Sequence, residues 1–134
     1  MKIGIVVSDF NQDITSVMLE AAKKETEKNN IEISEIIHVT GAFEIPFASK
    51  KLFNKENIDA VIVLGVVIHG KTDHDLIIVN SIAPKLLELS LENNKPLGFG
   101  IIGPRVTRQQ AEECAEDYAK RAVHTIIEMA KLND

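Results

Sequence analysis

Residues 60–68 read AVIVLGVVI, the most apolar stretch of the chain. Seven of these nine residues are Val, Ile or Leu, the composition of a strand that is covered on both faces. Strands of this kind occupy the middle of parallel sheets, with helices packed above and below them. The run is far too short to cross a bilayer as a helix, so we expect it to form a central strand of an α/β protein.

Three further strand-like runs alternate with four helical patterns along the rest of the chain. The runs are residues 3–8, 33–39 and 97–102, and the helical patterns are residues 14–28, 46–55, 73–93 and a last one that follows Thr107 and ends near residue 132. Successive strands joined through helices need crossover connections, which favour a parallel sheet. We therefore expect a three-layer α/β/α sandwich around a four-stranded parallel sheet, with flavodoxin-like connectivity.

Capping and proline signals refine the helix boundaries. Asp13 offers an N-cap for the first helix, and Thr107 with Gln110 three residues later has the pattern of a capping box. Pro46 suits the first turn of the short second helix. Pro84 lies inside the third helix and has no amide hydrogen to donate, so we expect a kink or a break there.

The composition fits one globular domain spanning residues 1–134, with 45% hydrophobic residues and a net charge of −5. That charge argues against binding to nucleic acids or to anionic membranes, which requires clustered Lys and Arg. Cys114 is the only cysteine, so no intrachain disulfide can form. The sequence begins in an apolar strand without a signal-peptide pattern, and we expect a cytoplasmic protein.

Residues 65–72 read GVVIHGKT, which satisfies the P-loop pattern G-x-x-x-x-G-K-S/T of nucleotide-binding proteins. Residues 66–68 are Val, Val and Ile, which favour a strand over the phosphate-binding turn of a P-loop. We therefore interpret them as part of the third strand and keep nucleotide binding as an alternative function. Residues 70–72 still present amides and a hydroxyl at a helix N-terminus, where an anion is stabilised.

Three loops at the expected ligand-binding edge of the sheet carry distinctive motifs. They are SDFNQDIT at 8–15, GAFEIP at 41–46 and GVVIHGKTDH at 65–74. In this order and spacing the motifs resemble those of the lumazine synthase family, and the other elements follow the family's order over essentially the whole chain. The short length and the GPRVT loop at 103–107 are most similar to archaeal members. A related archaeal riboflavin synthase shares the architecture and is an alternative.

The resemblance implies condensation of a ribitylamino-pyrimidinedione with 3,4-dihydroxy-2-butanone 4-phosphate, the penultimate step of riboflavin biosynthesis, without a cofactor or a metal. Phe10 then offers a stacking face for the flat ring, and Glu44 accepts hydrogen bonds from ribityl hydroxyls. Lys71 and Thr72 hold the phosphate, and Phe99 is expected to enter the site of a neighbouring subunit. The full set of implied substrate contacts on this chain, apart from an arginine, is Phe10, Ala42, Phe43, Glu44, Val66, Val67, Ile68, Lys71, Thr72 and Phe99.

Each of these residues also has an ordinary structural interpretation. An isolated Phe is more often a core residue, which applies to Phe10 and Phe43. Glu44 would also serve as a cap of the helix that begins near Pro46, because acidic side chains are common at helix N-termini. Their position in loops at the carboxyl edge of the sheet favours the binding role.

His74 is the residue to which the resemblance assigns catalysis. Imine formation, phosphate elimination and ring closure all move protons near neutral pH, where imidazole titrates. Without the surrounding motif, His74 would be interpreted as an exposed residue at a helix start. The other histidines, His38, His69 and His124, lie on different elements without the tight spacing of metal ligands.

One departure concerns the arginine that many family members carry in the helix after the fourth strand for phosphate recognition. This chain has Cys114 near the matching position. Arg105, Arg108 and Arg121 are the candidates to replace it, because a guanidinium binds phosphate through paired hydrogen bonds. We favour Arg121.

Assembly is also implied by the resemblance. Family members form homopentamers with active sites between adjacent subunits, and some pentamers build icosahedral capsids. We therefore expect self-association into pentamers or larger assemblies, with small-molecule substrates as the other partners. A purely structural shell protein is a further alternative, which turnover would exclude.

Overall fold

Four strands alternate with four helices along the chain, and a computed structural model describes all 134 residues. Short 3₁₀ turns follow the second strand, at Ala42–Glu44, and the last helix, at Lys131–Asn133. The predicted repeat of strand and helix is therefore confirmed. The elements are β1 Lys2–Ser8, α1 Gln12–Lys28, β2 Glu32–Val39, α2 Ile45–Phe53, β3 Ala60–Ile68, α3 His74–Asn93, β4 Leu97–Val106 and α4 Arg108–Ala130.

All four strands are parallel and lie in one sheet in the order β2-β1-β3-β4. This confirms the predicted three-layer α/β/α sandwich with flavodoxin-like connectivity. In the sheet, β2 lies on one side of β1 and β3 lies on the other side. The crevice beyond the carboxyl ends of β1 and β3 is thus the place where such sheets bind ligands.

Two apolar cores cover the two faces of the sheet. Ile5 and Val7 of β1 pack in a core of 20 buried residues with α1 and α4. Val6, between them, points to the other face and packs in a core of 14 buried residues with α2 and α3. The alternation follows from the two-residue period of a strand. None of the helices has both the length and the apolar composition of a membrane span.

Two boundaries of secondary-structure elements differ from the predicted ones. Asn11, rather than Asp13, is the N-cap of α1, in the left-handed conformation (φ 63°, ψ 47°) that Asn tolerates better than most residues. The fourth strand continues to Val106 instead of ending at residue 102, because Val106 pairs with Ile68 beyond a shift in register. The predicted capping box is confirmed: Gln110 N donates to Thr107 Oγ1 at 3.1 Å, and Thr107 N donates to Gln110 Oε1 at 3.0 Å.

Pro84 does not break α3, which runs through 20 residues without interruption, so the expected break was wrong. Pro84 and Asn80, whose carbonyl would otherwise receive the missing hydrogen bond, both lie on the exposed side of the helix. Water can therefore satisfy that carbonyl. Ile82 and Leu86, on the opposite side, remain fully packed in the core.

Gly98 of β4 marks the closest approach of α4 to the sheet. A Cβ on Gly98 would lie 2.6 Å from the backbone oxygen of Ala122 and 3.0 Å from the side chain of Ile62. We expect Gly98→Ala to lower the free energy of unfolding by roughly 1–3 kcal/mol, the usual cost of overpacking, in urea denaturation at fixed protein concentration. Gly70→Ala is the matched control, because a Cβ on Gly70 would meet no atom within 4 Å. Equal midpoints for the two variants would contradict this account of the helix–sheet contact.

Candidate active site

A cavity of about 780 Å³ opens beyond the carboxyl ends of β1 and β3. This volume lies within the range of small-molecule binding sites. Its walls come from the loops after β1, β2 and β3 and from the first residues of α3 and α4. Nine of the twelve residues predicted for the site line it: Phe10, Ala42, Phe43, Glu44, Val66, Val67, Ile68, Thr72 and His74.

The two loop phenylalanines are not core residues. The side chains of Phe10 and Phe43 are 69% and 60% exposed, which excludes the ordinary interpretation of an isolated Phe. Phe10 N donates to Thr40 O at 2.9 Å, so the loop after β1 is tied to the loop after β2. Both aromatic rings are therefore available to a flat ligand.

Asn11 also lines the cavity, and the sequence interpretation did not include it. Its Nδ2 donates to the backbone oxygen of Val66 at 3.4 Å, which connects the loop after β1 to the end of β3. The available signal was an Asn at a tight strand-to-helix turn, where the left-handed conformation is needed. Asn11 thus lines the site and is also the N-cap residue of α1.

Glu44 caps a turn and keeps one carboxylate oxygen unpaired. Its Oε1 accepts a hydrogen bond from the amide of Gly41 at 3.0 Å, which caps the 3₁₀ turn Ala42–Glu44. The side chain is exposed and makes no other hydrogen bond within the chain. One carboxylate oxygen therefore remains free to accept a hydrogen bond from a ligand.

Residues 69–73 form the loop between β3 and α3, and they do not form the turn of a P-loop. Residues 65–68 belong to β3, so the nucleotide-binding interpretation lacks the phosphate-binding turn that it requires. Gly70 and Thr72 face the cavity, whereas the exposed side chain of Lys71 does not line it. The first turn of α3 follows directly, and a helix N-terminus favours an anion.

His74 is the first residue of α3 and is exposed at the cavity wall. Its backbone amide donates to Thr72 Oγ1 at 3.4 Å, and its imidazole has no hydrogen-bond partner within the chain. His38 pairs with Asp9 at 2.9 Å and lies outside the cavity lining. No three His, Cys, Asp or Glu side chains are grouped so that they could hold a metal ion.

Asp75 is a second residue that the sequence interpretation missed. It is only 2% exposed, and its Oδ2 accepts hydrogen bonds from the Arg105 amide at 2.8 Å and from His69 Nδ1 at 3.0 Å. The Arg105 amide, more than any other group, holds the pKa of Asp75 below its ordinary value, against the opposing effect of burial. Asp75 is therefore an ionised carboxylate at neutral pH. Its signal in the sequence was helical spacing, because it begins the core-facing row completed by Val79, Ile82 and Leu86.

The three candidate arginines lie at different distances from the cavity. Arg108 lines the cavity, and its guanidinium pairs with Asp13 and, at 3.2 Å, with Glu112. Arg121 lies thirteen residues later on α4, about 20 Å along the helix axis, and cannot reach the cavity of its own chain. Its guanidinium instead pairs with Asp117 at 3.4 Å. Arg105 contributes its backbone amide to Asp75.

Phe99 lies away from the cavity of its own chain. Its side chain, 38% exposed, lines a separate apolar groove between α3 and α4. About half of the residues that line the groove are apolar, and the rest include Ser90, Lys95 and Thr125. Its apolar members include Leu87, Leu91, Leu97, Phe99, Met129 and Leu132.

Comparison with known proteins agrees with the geometry of the cavity. The sequence profile of the 6,7-dimethyl-8-ribityllumazine synthase family matches residues 1–134. A 6,7-dimethyl-8-ribityllumazine synthase of Metallosphaera sedula is 47% identical over 131 residues, which cover 98% of this chain and 87% of the relative. That of Staphylothermus marinus is 46% identical, over 96% of this chain and 85% of the relative. That of Saccharolobus solfataricus is 45% identical, over 98% and 85%.

These matches confirm the resemblance found in the three loop motifs. They give no support to the riboflavin synthase and nucleotide-binding alternatives. The chain belongs to the 6,7-dimethyl-8-ribityllumazine synthase family.

Proposed function

We propose that the cavity beyond β1 and β3 is where this chain condenses 5-amino-6-ribitylamino-pyrimidinedione with 3,4-dihydroxy-2-butanone 4-phosphate. The products are 6,7-dimethyl-8-ribityllumazine, inorganic phosphate and water. One observation carries the proposal: exposed aromatic rings, a free carboxylate oxygen and an unpaired imidazole meet at a helix N-terminus in one cavity. A flat polyol-bearing ring and a small phosphate ester need these groups together.

The pyrimidinedione fits the half of the cavity formed by β1 and β2. Phe10 stacks on the ring, and the free oxygen of Glu44 accepts from ribityl hydroxyls. The backbone groups of Ala42 and Phe43 hold the ring or its chain. Main-chain atoms of residues 66–68, at the end of β3, line the pocket around the ring edge.

The phosphate fits the start of α3. Thr72 and the first-turn amides of the helix donate to it, and the exposed Lys71 adds a positive charge. Arg108 is the arginine that we assign to this subsite, because it is the only one of the three candidates that lines the cavity. Its two carboxylate partners, Asp13 and Glu112, neutralise its positive charge when no anion is bound.

His74 transfers protons in the condensation. The amine of the pyrimidinedione attacks the ketone, and loss of water from the adduct needs a proton donor. Elimination of phosphate removes a proton from carbon. In the ring closure the ribitylamino nitrogen attacks the remaining carbonyl carbon and loses a proton, and the carbonyl oxygen leaves as a second water. An imidazole with both nitrogens free, next to the residues that would bind the phosphate, can supply and accept these protons.

Self-association into pentamers is part of the proposal. The groove between α3 and α4 exposes Leu91 by 71%, Leu132 by 76% and Leu87 by 56%, an apolar surface that soluble monomers rarely leave open. A neighbouring subunit that covers this groove would also receive Phe99. The aromatic ring would then complete a site on the adjacent chain.

Replacement of His74 tests the catalytic assignment. We expect His74→Ala to lower kcat by roughly 100-fold, the usual worth of a positioned acid–base group, with little change in KM for either substrate. The measurement is absorbance-monitored formation of the lumazine, corrected for the reaction without enzyme. His124→Ala is the control, because His124 pairs with Glu25 at the surface, outside the cavity lining. An unchanged kcat in His74→Ala would remove the assignment.

Two arginine variants test the phosphate subsite. We expect Arg108→Ala to raise KM for the butanone phosphate by roughly 10- to 100-fold, through loss of a charge-assisted hydrogen bond, and to leave KM for the pyrimidinedione unchanged. Arg121→Ala removes the same charge from the same helix outside the cavity and should raise neither KM. The reverse result would place the phosphate arginine on a neighbouring subunit.

The mass of the assembly in solution tests self-association. Light scattering after size exclusion should give about five times the 14.8 kDa of the chain, or a far larger value for a capsid. Leu91→Glu places a charge in the exposed groove and should yield smaller species. Val17→Glu is the control, at a 41% exposed position on α1. A monomeric wild-type chain would contradict the proposed pentamer.

A further inference from the structure

We propose that Asp75 is a positioning residue: its buried carboxylate fixes residues 69–74, so that Thr72 and His74 face the butanone phosphate. This inference rests on the proposed function, because it assigns a role in the phosphate half of that site. Neither the motifs nor the proposed chemistry needs Asp75. The contacts of its carboxylate are what single it out.

The carboxylate of Asp75 joins three segments at one oxygen. Oδ2 accepts from His69 Nδ1, at the end of β3, at 3.0 Å and from the Arg105 amide, near the end of β4, at 2.8 Å. His69 N donates in turn to Val106 O at 2.8 Å. Both ends of the loop are thus fastened to the end of β4, one of them through Asp75.

The residues between these two ends have little else to hold them. Residues 70–72 make no backbone–backbone hydrogen bond, and they are exposed. The hydroxyl of Thr72 accepts a single bond from the His74 amide at 3.4 Å. Because the loop has almost no contacts of its own, its shape depends on where its ends are fixed.

A role limited to stability would favour a different residue at this position. Asp75 continues the buried row of Val79, Ile82 and Leu86, where an apolar side chain would pack without desolvating a charge. Its Oδ1 is buried and has no hydrogen-bond partner within the chain, which leaves the charge incompletely compensated. The chain thus carries a charged group at a buried position where charge is unfavourable, and this group links β3, α3 and β4.

Positioning and simple electrostatics predict opposite effects on phosphate binding. If Asp75 were only a nearby negative charge, its removal would strengthen the binding of an anion. If it positions the loop, its removal weakens binding, because the donors no longer converge on one point. Replacement by Asn removes the charge while keeping the shape of the side chain.

The experiment compares Asp75→Asn with Asp73→Asn, which removes the same charge from the exposed N-cap of α3, where the side chain makes no capping bond. For Asp75→Asn we expect a rise of about tenfold in KM for the butanone phosphate and in Kd for inorganic phosphate by calorimetry. KM for the pyrimidinedione should change less than about twofold. For Asp73→Asn, both phosphate parameters should stay equal or fall.

Unchanged or tighter phosphate binding in Asp75→Asn, with wild-type turnover intact, overturns the positioning role and leaves the proposed function standing. A wild-type chain that forms no lumazine overturns the proposed function itself. If circular dichroism shows that Asp75→Asn does not fold, the same measurements are made on His69→Gln. That variant removes the hydrogen bond between His69 and Asp75 and keeps the bond from the Arg105 amide to Asp75. A rise in KM for the butanone phosphate in that variant supports the positioning role, and no rise overturns it.

Discussion

Every residue of β3 except the last is buried, and this strand lies between β1 and β4 at the centre of the sheet. Only the last residue, Ile68, at the carboxyl end of the strand, is partly exposed. Because the neighbouring strands are parallel to β3, their carboxyl ends meet at the same edge of the sheet. The loops that carry Phe10, Glu44 and Thr72 are therefore brought to one place by the packing of an apolar strand, and the bond from Phe10 N to Thr40 O adds a direct link between the first two.

The reversal of strand order between β1 and β3 turns this edge into a cavity. A helix leaves from β1 on one face of the sheet and from β3 on the other, so the two loops separate and leave a crevice between them. Asn11 bridges the two strands from the left-handed position, and the start of α3 closes the far side. The same geometry places a helix N-terminus at the crevice, so the proposed phosphate subsite would need few charged side chains.

The elements that local patterns specify were predictable from the sequence. Apolar runs located all four strands, and the Thr107–Gln110 pattern located the start of α4. The extension of β4 to Val106 was not predictable, because it depends on pairing with Ile68, a residue distant in sequence. The tolerance of Pro84 depends on which side of α3 faces water, which becomes known only once the helix is packed. Most of the residues that the motifs predicted for the site line the cavity. The roles of Asn11 and Asp75 were not predictable, because they depend on contacts between elements that are distant in sequence.

Cys114 bears on where the proposed phosphate subsite takes its positive charge. Burial raises the pKa of its thiol, and its side chain packs against the core between α1 and α4, so at neutral pH it is an uncharged, half-buried group. It cannot bind an anion. Arg108 lies six residues earlier, about 9 Å along the helix, at the first turn of α4, where the helix dipole also favours negative charge. Arg108 has Asp13 and Glu112 as partners, and in the proposed subsite a phosphate would compete with them for the guanidinium. The proposal therefore links phosphate affinity to the start of α1, whose first turn carries Asp13.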